Sequence, residues 1–228
     1  MTSPHDRAAA DEFDKWAAKG SGERMEKGHL PVTLPVLKEL TLGGESRVLD
    51  VGCGAGWLVR LCLKRGAGQA TGVDISPGMI ERARELGAGA FEVASGEALP
   101  FADGHFSHVL SVESLYYYAD PLAALREFRR VAAVGAELAV VIELFDESPV
   151  GKVWKQALDV EIHNWSQAKW ARVTEEAGWS GVRTRCIPRP EPAPAEADFK
   201  SSTYWPDYET IRGYHRIGAL VIRGQNPG

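Results

Sequence analysis

Three glycines at alternate positions, Gly52, Gly54 and Gly56, follow directly on the apolar run Val48-Leu-Asp-Val51. The run suits a buried strand. Residues without a β-carbon permit a tight turn and let a ligand approach the backbone closely. Trp57-Leu-Val-Arg-Leu-Cys-Leu-Lys64 then repeats its apolar residues at helical spacing. Strand, glycine loop and helix in this order make the nucleotide-gripping corner of a doubly wound α/β sheet.

The details of the loop bear on which nucleotide it takes. In the dinucleotide fingerprint a third small residue seats the helix against the strand. Counting from Gly52 and Gly54, that place holds Trp57, which is too bulky. Asp50 stands just ahead of the loop. A carboxylate about 4 Å from a phosphate is opposed by roughly 1–4 kcal/mol, depending on the local dielectric. The same carboxylate suits a ligand carrying an ammonium and a sulfonium. The pattern disfavours pyrophosphate and favours S-adenosylmethionine.

Val-Leu-Asp-Val-Gly-Cys-Gly-Ala-Gly56 resembles the first motif of the class I S-adenosylmethionine-dependent methyltransferases. Asp74 closes a second apolar segment, Ala70-Thr-Gly-Val-Asp-Ile-Ser76, 20 residues beyond Gly54 (74 minus 54). That is the spacing at which an acidic residue meets ribose hydroxyls. Ala94-Ser-Gly-Glu-Ala-Leu-Pro-Phe101 is similar to the family's adenine-side loop, and Phe106–Val112 to its fourth strand. Ser95 departs from the family's usual aspartate there, keeping a hydroxyl acceptor without the charge. The resemblance implies a Rossmann-like, doubly wound seven-stranded sheet, mostly parallel with an antiparallel last strand and helices on both faces. It implies S-adenosylmethionine as cofactor and S-adenosylhomocysteine as product. It places Asp50, Gly52, Cys53, Gly54, Gly56, Asp74, Ile75, Met79, Ser95, Gly96, Glu97 and Ser111 around the cofactor.

The 228 residues are read as one methyltransferase domain: an N-terminal helical lid over 1–46, a cofactor-binding core over 47–187, a Pro-rich insertion over 188–212 and a last strand over 213–228. An apolar fraction of 44% suffices for a core. A net charge of −5 argues against a nucleic-acid partner. No signal-peptide core and no run of about 18 apolar residues is seen, so no membrane association is expected. Three cysteines without metal spacing, Cys53, Cys62 and Cys186, suggest reduced thiols in a cytoplasmic protein. No metal site is expected, and the oligomeric state is left open.

Helical periodicity covers Arg7–Ala18, and Pro31 is expected to open a helix reaching Leu40, after a glycine break and a short turn. By resemblance, Phe13 through His29 lie over the cofactor cleft; a layer that only covers the sheet is the alternative. Ser76, Asp120 and Ser166 read as N-caps. Arg126, Arg129 and Arg130 read as a solvated face. Helices are expected over 152–160 and after Ser166, and strands over Leu138–Leu144, Val182–Ile187 and Ile217–Arg223. Pro188–Pro206 reads as an irregular segment, an ordered lid or a spacer.

In open α/β sheets ligands bind at the switch in strand order. Glu113 and the run Tyr116-Tyr-Tyr118 follow the fourth strand and so sit where cofactor meets acceptor. Trp16, Tyr116, Tyr117 and Trp165 are the candidate acceptor contacts. His29, Glu113 and His163 are the candidate bases, His29 first because the lid brings it over the cleft with a pKa suited to the work. The leading reading is O- or N-methylation of a small molecule. Alternatives are a methyltransferase acting on protein or RNA, and a non-methylating relative of the fold.

Overall fold

The computed structural model describes residues 4–157 and 160–228. The apolar run predicted as a strand is β1 (Arg47–Val51), at the centre of the sheet. It pairs in parallel with β2 (Gln69–Asp74) on one side and β4 (Phe106–Val112) on the other. β3 (Ala90–Val93) extends the sheet beyond β2. Beyond β4 come β5 (Ala132–Ile142), β7 (Ala219–Gln225) and, at the far edge, β6 (Ser180–Ile187), in the order β3-β2-β1-β4-β5-β7-β6. β7 alone runs against its neighbours. This is the doubly wound, mostly parallel seven-stranded sheet expected.

Successive strand residues point to opposite faces, and the core divides accordingly. Leu49 and Val51 join one apolar cluster with Phe106, Phe128 and Trp170, under α5 (Pro121–Val131) and α7 (Gln167–Glu176). Val48 joins the other with Leu58, Cys62 and Ile80, under α3 (Trp57–Lys64) and α4 (Pro77–Glu85). The three expected N-caps form: Ser76 accepts from the Met79 N–H, Asp120 from Leu122 and Ala123, and Ser166 from Lys169. Each satisfies orphan donors of a first turn.

Four expectations change. First, α1 (Pro4–Ala18) matches the periodicity, but α2 runs unbroken from Ser21 to Lys38 with Pro31 and Pro35 inside it. A proline interior to a helix removes a hydrogen bond. Burial offsets the loss, since Val32, Val36 and Leu37 are fully packed in the second cluster, and the Thr33 hydroxyl donates to the His29 carbonyl at 2.8 Å. Second, β5 begins at Ala132 rather than Leu138, and its Gly135 N–H donates to the Asn226 carbonyl at 2.8 Å. Third, Arg130 is no solvated side chain: it donates to the Leu99 and Phe101 carbonyls, Asp103 and Glu127, clamping the segment before β4.

Fourth, the boundary expected at 212 cuts through a helix, α8 (Tyr208–Ile217), whose first turn is capped by Asp207 accepting from the Thr210 N–H at 2.7 Å. The preceding 188–207 are irregular apart from one 3-10 turn at Glu196–Asp198, and they are tied down. The Arg189 N–H donates to the His215 carbonyl, and the Trp154 indole, on α6 (Pro149–Ala157), donates to the Tyr204 carbonyl at 2.9 Å. Residues 158 and 159 of the helix expected over 152–160 lie outside the described residues. No described helix is long and apolar enough to cross a membrane.

Candidate active site

The strand order reverses between β1 and β4, and a cleft opens there, at the carboxyl ends of the strands. Its cavity volume is about 120 Å³, and the cleft opens to solvent. Its floor is the glycine loop. Gly52 has φ +78°, and a β-carbon there would collide with the Ser114 side chain. A β-carbon on Gly54 (φ +50°) would meet no protein atom within 4 Å, so that stretch of backbone lies open to a ligand. Asp74 explains the 20-residue spacing. Its carboxylate accepts the Gly54 N–H at 2.8 Å and the Ser76 N–H at 3.0 Å, pinning the loop to the end of β2. Burial raises its pKa against the pull of these bonds. Tyr118 reaches over Gly96, and its buried hydroxyl has no protein hydrogen-bond partner. An open glycine cradle, a pinned carboxylate and an orphaned hydroxyl fit a nucleoside-bearing ligand.

α1 and the first half of α2 form the facing wall. The Asp14 carboxylate accepts from the Ser76 hydroxyl and from the Gly78 N–H at 2.9 Å, fastening α1 to the start of α4. Phe13 then stands edge-on to Tyr117 at 5.0 Å and to Trp16 at 5.3 Å. With Ala9, Met25 and Tyr116 these rings make one end of the cleft apolar.

At that end His29 faces Glu113 and Glu143. His29 Nδ1 lies 3.2 Å from Glu143 Oε2. Glu143 follows β5 and is wholly buried; its other oxygen accepts from Arg189 and, at 2.8 Å, from the Tyr214 hydroxyl. Glu113 follows β4 at φ +55°, a conformation that costs about 1–3 kcal/mol for a residue with a side chain. Its carboxylate accepts the Glu143 N–H at 2.6 Å and the Tyr116 hydroxyl at 2.8 Å. Burial, then the charge of Glu143, pushes Glu113 up to about 7. Burial works against a charged His29, but the bond to Glu143 and the charges of Glu113 and Glu143 outweigh it, so the imidazole sits above its ordinary pKa. Burial likewise works against a charged Glu143, yet His29, Arg189 and Tyr214 hold it below the usual range. Arg189 and Glu143 form a buried ion pair, with His29 and Glu113 beside it.

His29, Glu113 and Glu143 present their ligand atoms within 4.8 Å of one another. As a metal cage the set fits poorly. Both Glu113 oxygens accept protein donors, Glu143 carries three partners, and the Arg189 cation already occupies the place of a positive ion.

Of the residues singled out in the sequence, Gly52, Cys53, Gly54, Asp74, Ile75, Met79 and Gly96 line the cleft together with Trp16, His29, Glu113, Tyr116 and Tyr117. The others do not. Asp50 is buried beneath the loop, where burial and then the charge of Asp74 push its carboxyl up to about 8. Gly56 caps α3, Ser111 bonds the Ser114 hydroxyl, and Glu97 accepts the Asp120 N–H. Ser95 accepts the Glu97 N–H at 3.3 Å. His163 lies behind the wall: its N–H donates to the Tyr116 carbonyl and its ring packs on Trp165, which in turn packs on Trp170. Neither His163 nor Trp165 reaches the cleft. Sequence reasoning missed Glu143, Arg189 and Tyr214, which only the fold brings together, and Tyr118 as a wall residue.

A fold of this order with a glycine-floored cleft at the β1–β4 switch defines a nucleoside-binding α/β protein. The methyltransferase domain family matches residues 49–140. The demethylmenaquinone methyltransferase of Staphylococcus aureus is 31% identical over 182 residues, 66% of this chain and 74% of that protein. The O-methyltransferase resE of Aspergillus sclerotiorum is 33% identical over 133 residues, 55% of this chain and 50% of that protein. The matched part spans half or less of several such curated relatives. Among solved structures, the methyltransferase of Haloferax volcanii from its complex with the Trm112 methyltransferase activator superposes with a TM-score of 0.88 at 28% identity, covering 95% of this chain and 98% of that one. The chain belongs to the class I S-adenosylmethionine-dependent methyltransferases, and S-adenosylmethionine is its cofactor.

Proposed function

We propose that this protein methylates a hydroxyl oxygen on a small, uncharged and largely apolar acceptor, with His29 taking the hydroxyl proton. When bound, S-adenosylmethionine supplies a methyl group activated by its sulfonium. Asp74 and the Gly52–Gly54 backbone would hold the nucleoside, with Ile75 and Met79 beside the base. The apolar wall of Phe13, Trp16, Met25 and Tyr117 would hold the acceptor, with α1 and the start of α2 as its lid.

The observation that carries the reading is the His29–Glu143 pair. A carboxylate on Nδ1 fixes the imidazole tautomer, leaving Nε2 as the proton acceptor. Such a base contributes typically 10²–10⁴-fold, and orientation by the wall adds to it. No lysine or arginine among the described residues lines the cleft, which disfavours anionic acceptors and nucleic acid alike. The name of the O-methyltransferase resE agrees with transfer to oxygen. The free thiols Cys53, Cys62 and Cys186 support a reducing, cytoplasmic setting.

The test is a panel of phenols and hydroquinones assayed for S-adenosylhomocysteine formation, with His29→Gln alongside. The variant should lose about 10²–10⁴-fold in kcat while keeping affinity for S-adenosylhomocysteine. Undiminished kcat would remove His29 from the chemistry. A second reading rests on the near-complete superposition with the Haloferax volcanii protein: this chain pairs with a methyltransferase activator protein. Co-purification of a stoichiometric small partner, with no turnover of any small acceptor, would favour it.

A further inference from the structure

Arg189 belongs to neither the cofactor floor nor the acceptor wall, yet its side chain is only 10% exposed and both guanidinium arms donate hydrogen bonds. It stands at the end of β6, the outermost strand, where its own N–H is anchored to the His215 carbonyl of α8. From there the guanidinium reaches the opposite side of the cleft end. Nη1 donates to Glu143 and, at 2.6 Å, to the Tyr214 hydroxyl. Nη2 donates at 2.5 Å to the carbonyl of Gly28, the residue before His29. The guanidinium also lies 4.9 Å from the centre of the Tyr214 ring, within cation–π range. One planar fork therefore holds both the carboxylate that orients His29 and the turn of α2 that carries His29. A lysine, a single point charge, has no second arm for this.

We infer that Arg189 is a positioning residue for His29, fixing the imidazole over the cleft by bridging Glu143 and the Gly28 carbonyl. This rests on the reading of His29 as the proton acceptor. The charged groups that face His29 are Glu143 after β5, Glu113 after β4 and Arg189 after β6, and Tyr116 and Tyr214 bond to the two carboxylates. Arg189 opposes the imidazolium through space while holding its carboxylate partner in place. With Arg189 gone, Glu143 faces only His29 and Tyr214, so His29 holds its proton to higher pH.

The experiment is an NMR titration of the imidazoles in the full chain, with the His29 signals assigned through His29→Gln. Wild type, Arg189→Gln and Arg189→Lys are compared. In the wild type the neutral ring should carry its proton on Nδ1. In Arg189→Gln the His29 midpoint should rise by half a unit or more, and in Arg189→Lys it should fall between the two, the charge being restored and the second arm not. Once an acceptor is found, the acid limb of the kcat profile should move the same way. A purely structural role would lower the melting temperature and leave the midpoint in place. A folded Arg189→Gln with the wild-type midpoint and tautomer would overturn the inference, and Arg189→Lys decides the matter if Arg189→Gln does not fold. Absence of methyl transfer with every acceptor would count against the proposed function and leave this readout intact.

Discussion

Replacing Asp74 by asparagine tests the cofactor floor where it is most constrained. The wild-type carboxylate offers one oxygen to the Gly54 N–H at 2.8 Å and the other to the Ser76 N–H at 3.0 Å. Asparagine has one acceptor oxygen, so its amide nitrogen must face one of these two N–H groups, donor against donor. Leaving a buried donor unsatisfied costs about 1–3 kcal/mol, which in a domain of this size lowers the melting temperature by about 2–4 °C per kcal/mol. The remaining lone pairs of Asp74 are those expected to receive the ribose hydroxyls. Losing a charge-assisted bond of that kind costs about 1.5–3 kcal/mol, or roughly 10- to 150-fold in Kd. Calorimetric titration with S-adenosylhomocysteine reads the affinity, and thermal unfolding of the same preparation reads the stability. A folded Asp74→Asn protein with wild-type affinity would refute the assignment of Asp74 to the ribose.

Two further substitutions probe the buried charges. Glu143→Ala strands the Arg189 cation in the interior, and breaking a buried pair costs about 3–5 kcal/mol; a melting temperature within 2 °C of wild type would show that the pair is not buried as described. Asp50 has its carboxyl raised from an ordinary value near 3.8 to about 8 by burial and by Asp74. The folded state therefore keeps a proton that the unfolded chain releases, so this group's contribution to stability is full below pH 4 and lost as pH rises through 8. Asp50→Asn should be increasingly more stable than wild type between pH 5 and 8, by about 4 kcal/mol over that range at 1.36 kcal/mol per unit. A stability difference that stays constant over that range would show that Asp50 is ionised in the folded protein.

The glycine corner was legible because every element of it is local. Strand, loop and helix lie within Arg47–Lys64, and Asp74 lies one strand further on at a spacing that the bond to Gly54 now explains. The caps Ser76, Asp120 and Ser166 were legible for the same reason. α2 was misread because Pro31 and Pro35 are local signals against a helix interior, and the burial of Val32, Val36 and Leu37 that outweighs them is tertiary. α8 follows a proline run that reads as irregular, although Asp207 is an N-cap followed by apolar residues at Ile211, Tyr214 and Ile217. The proton-transfer cluster was legible only in part. His29 and Glu113 flank recognisable elements, but Glu143 meets His29 from 114 residues away, Tyr214 from 71 and Arg189 from 46. His163 lies behind the wall, its backbone N–H held by the Tyr116 carbonyl and its ring tilted against Trp165.

The most direct test of the central claim is calorimetric titration of the purified protein with S-adenosylhomocysteine, with NADH in parallel. A methyltransferase cleft floored by Gly52–Gly54 and pinned by Asp74 predicts saturable, micromolar binding of S-adenosylhomocysteine at one site and none of NADH. Binding of NADH alone would contradict it, because the Asp74 carboxylate in the cleft would then have to accommodate a pyrophosphate.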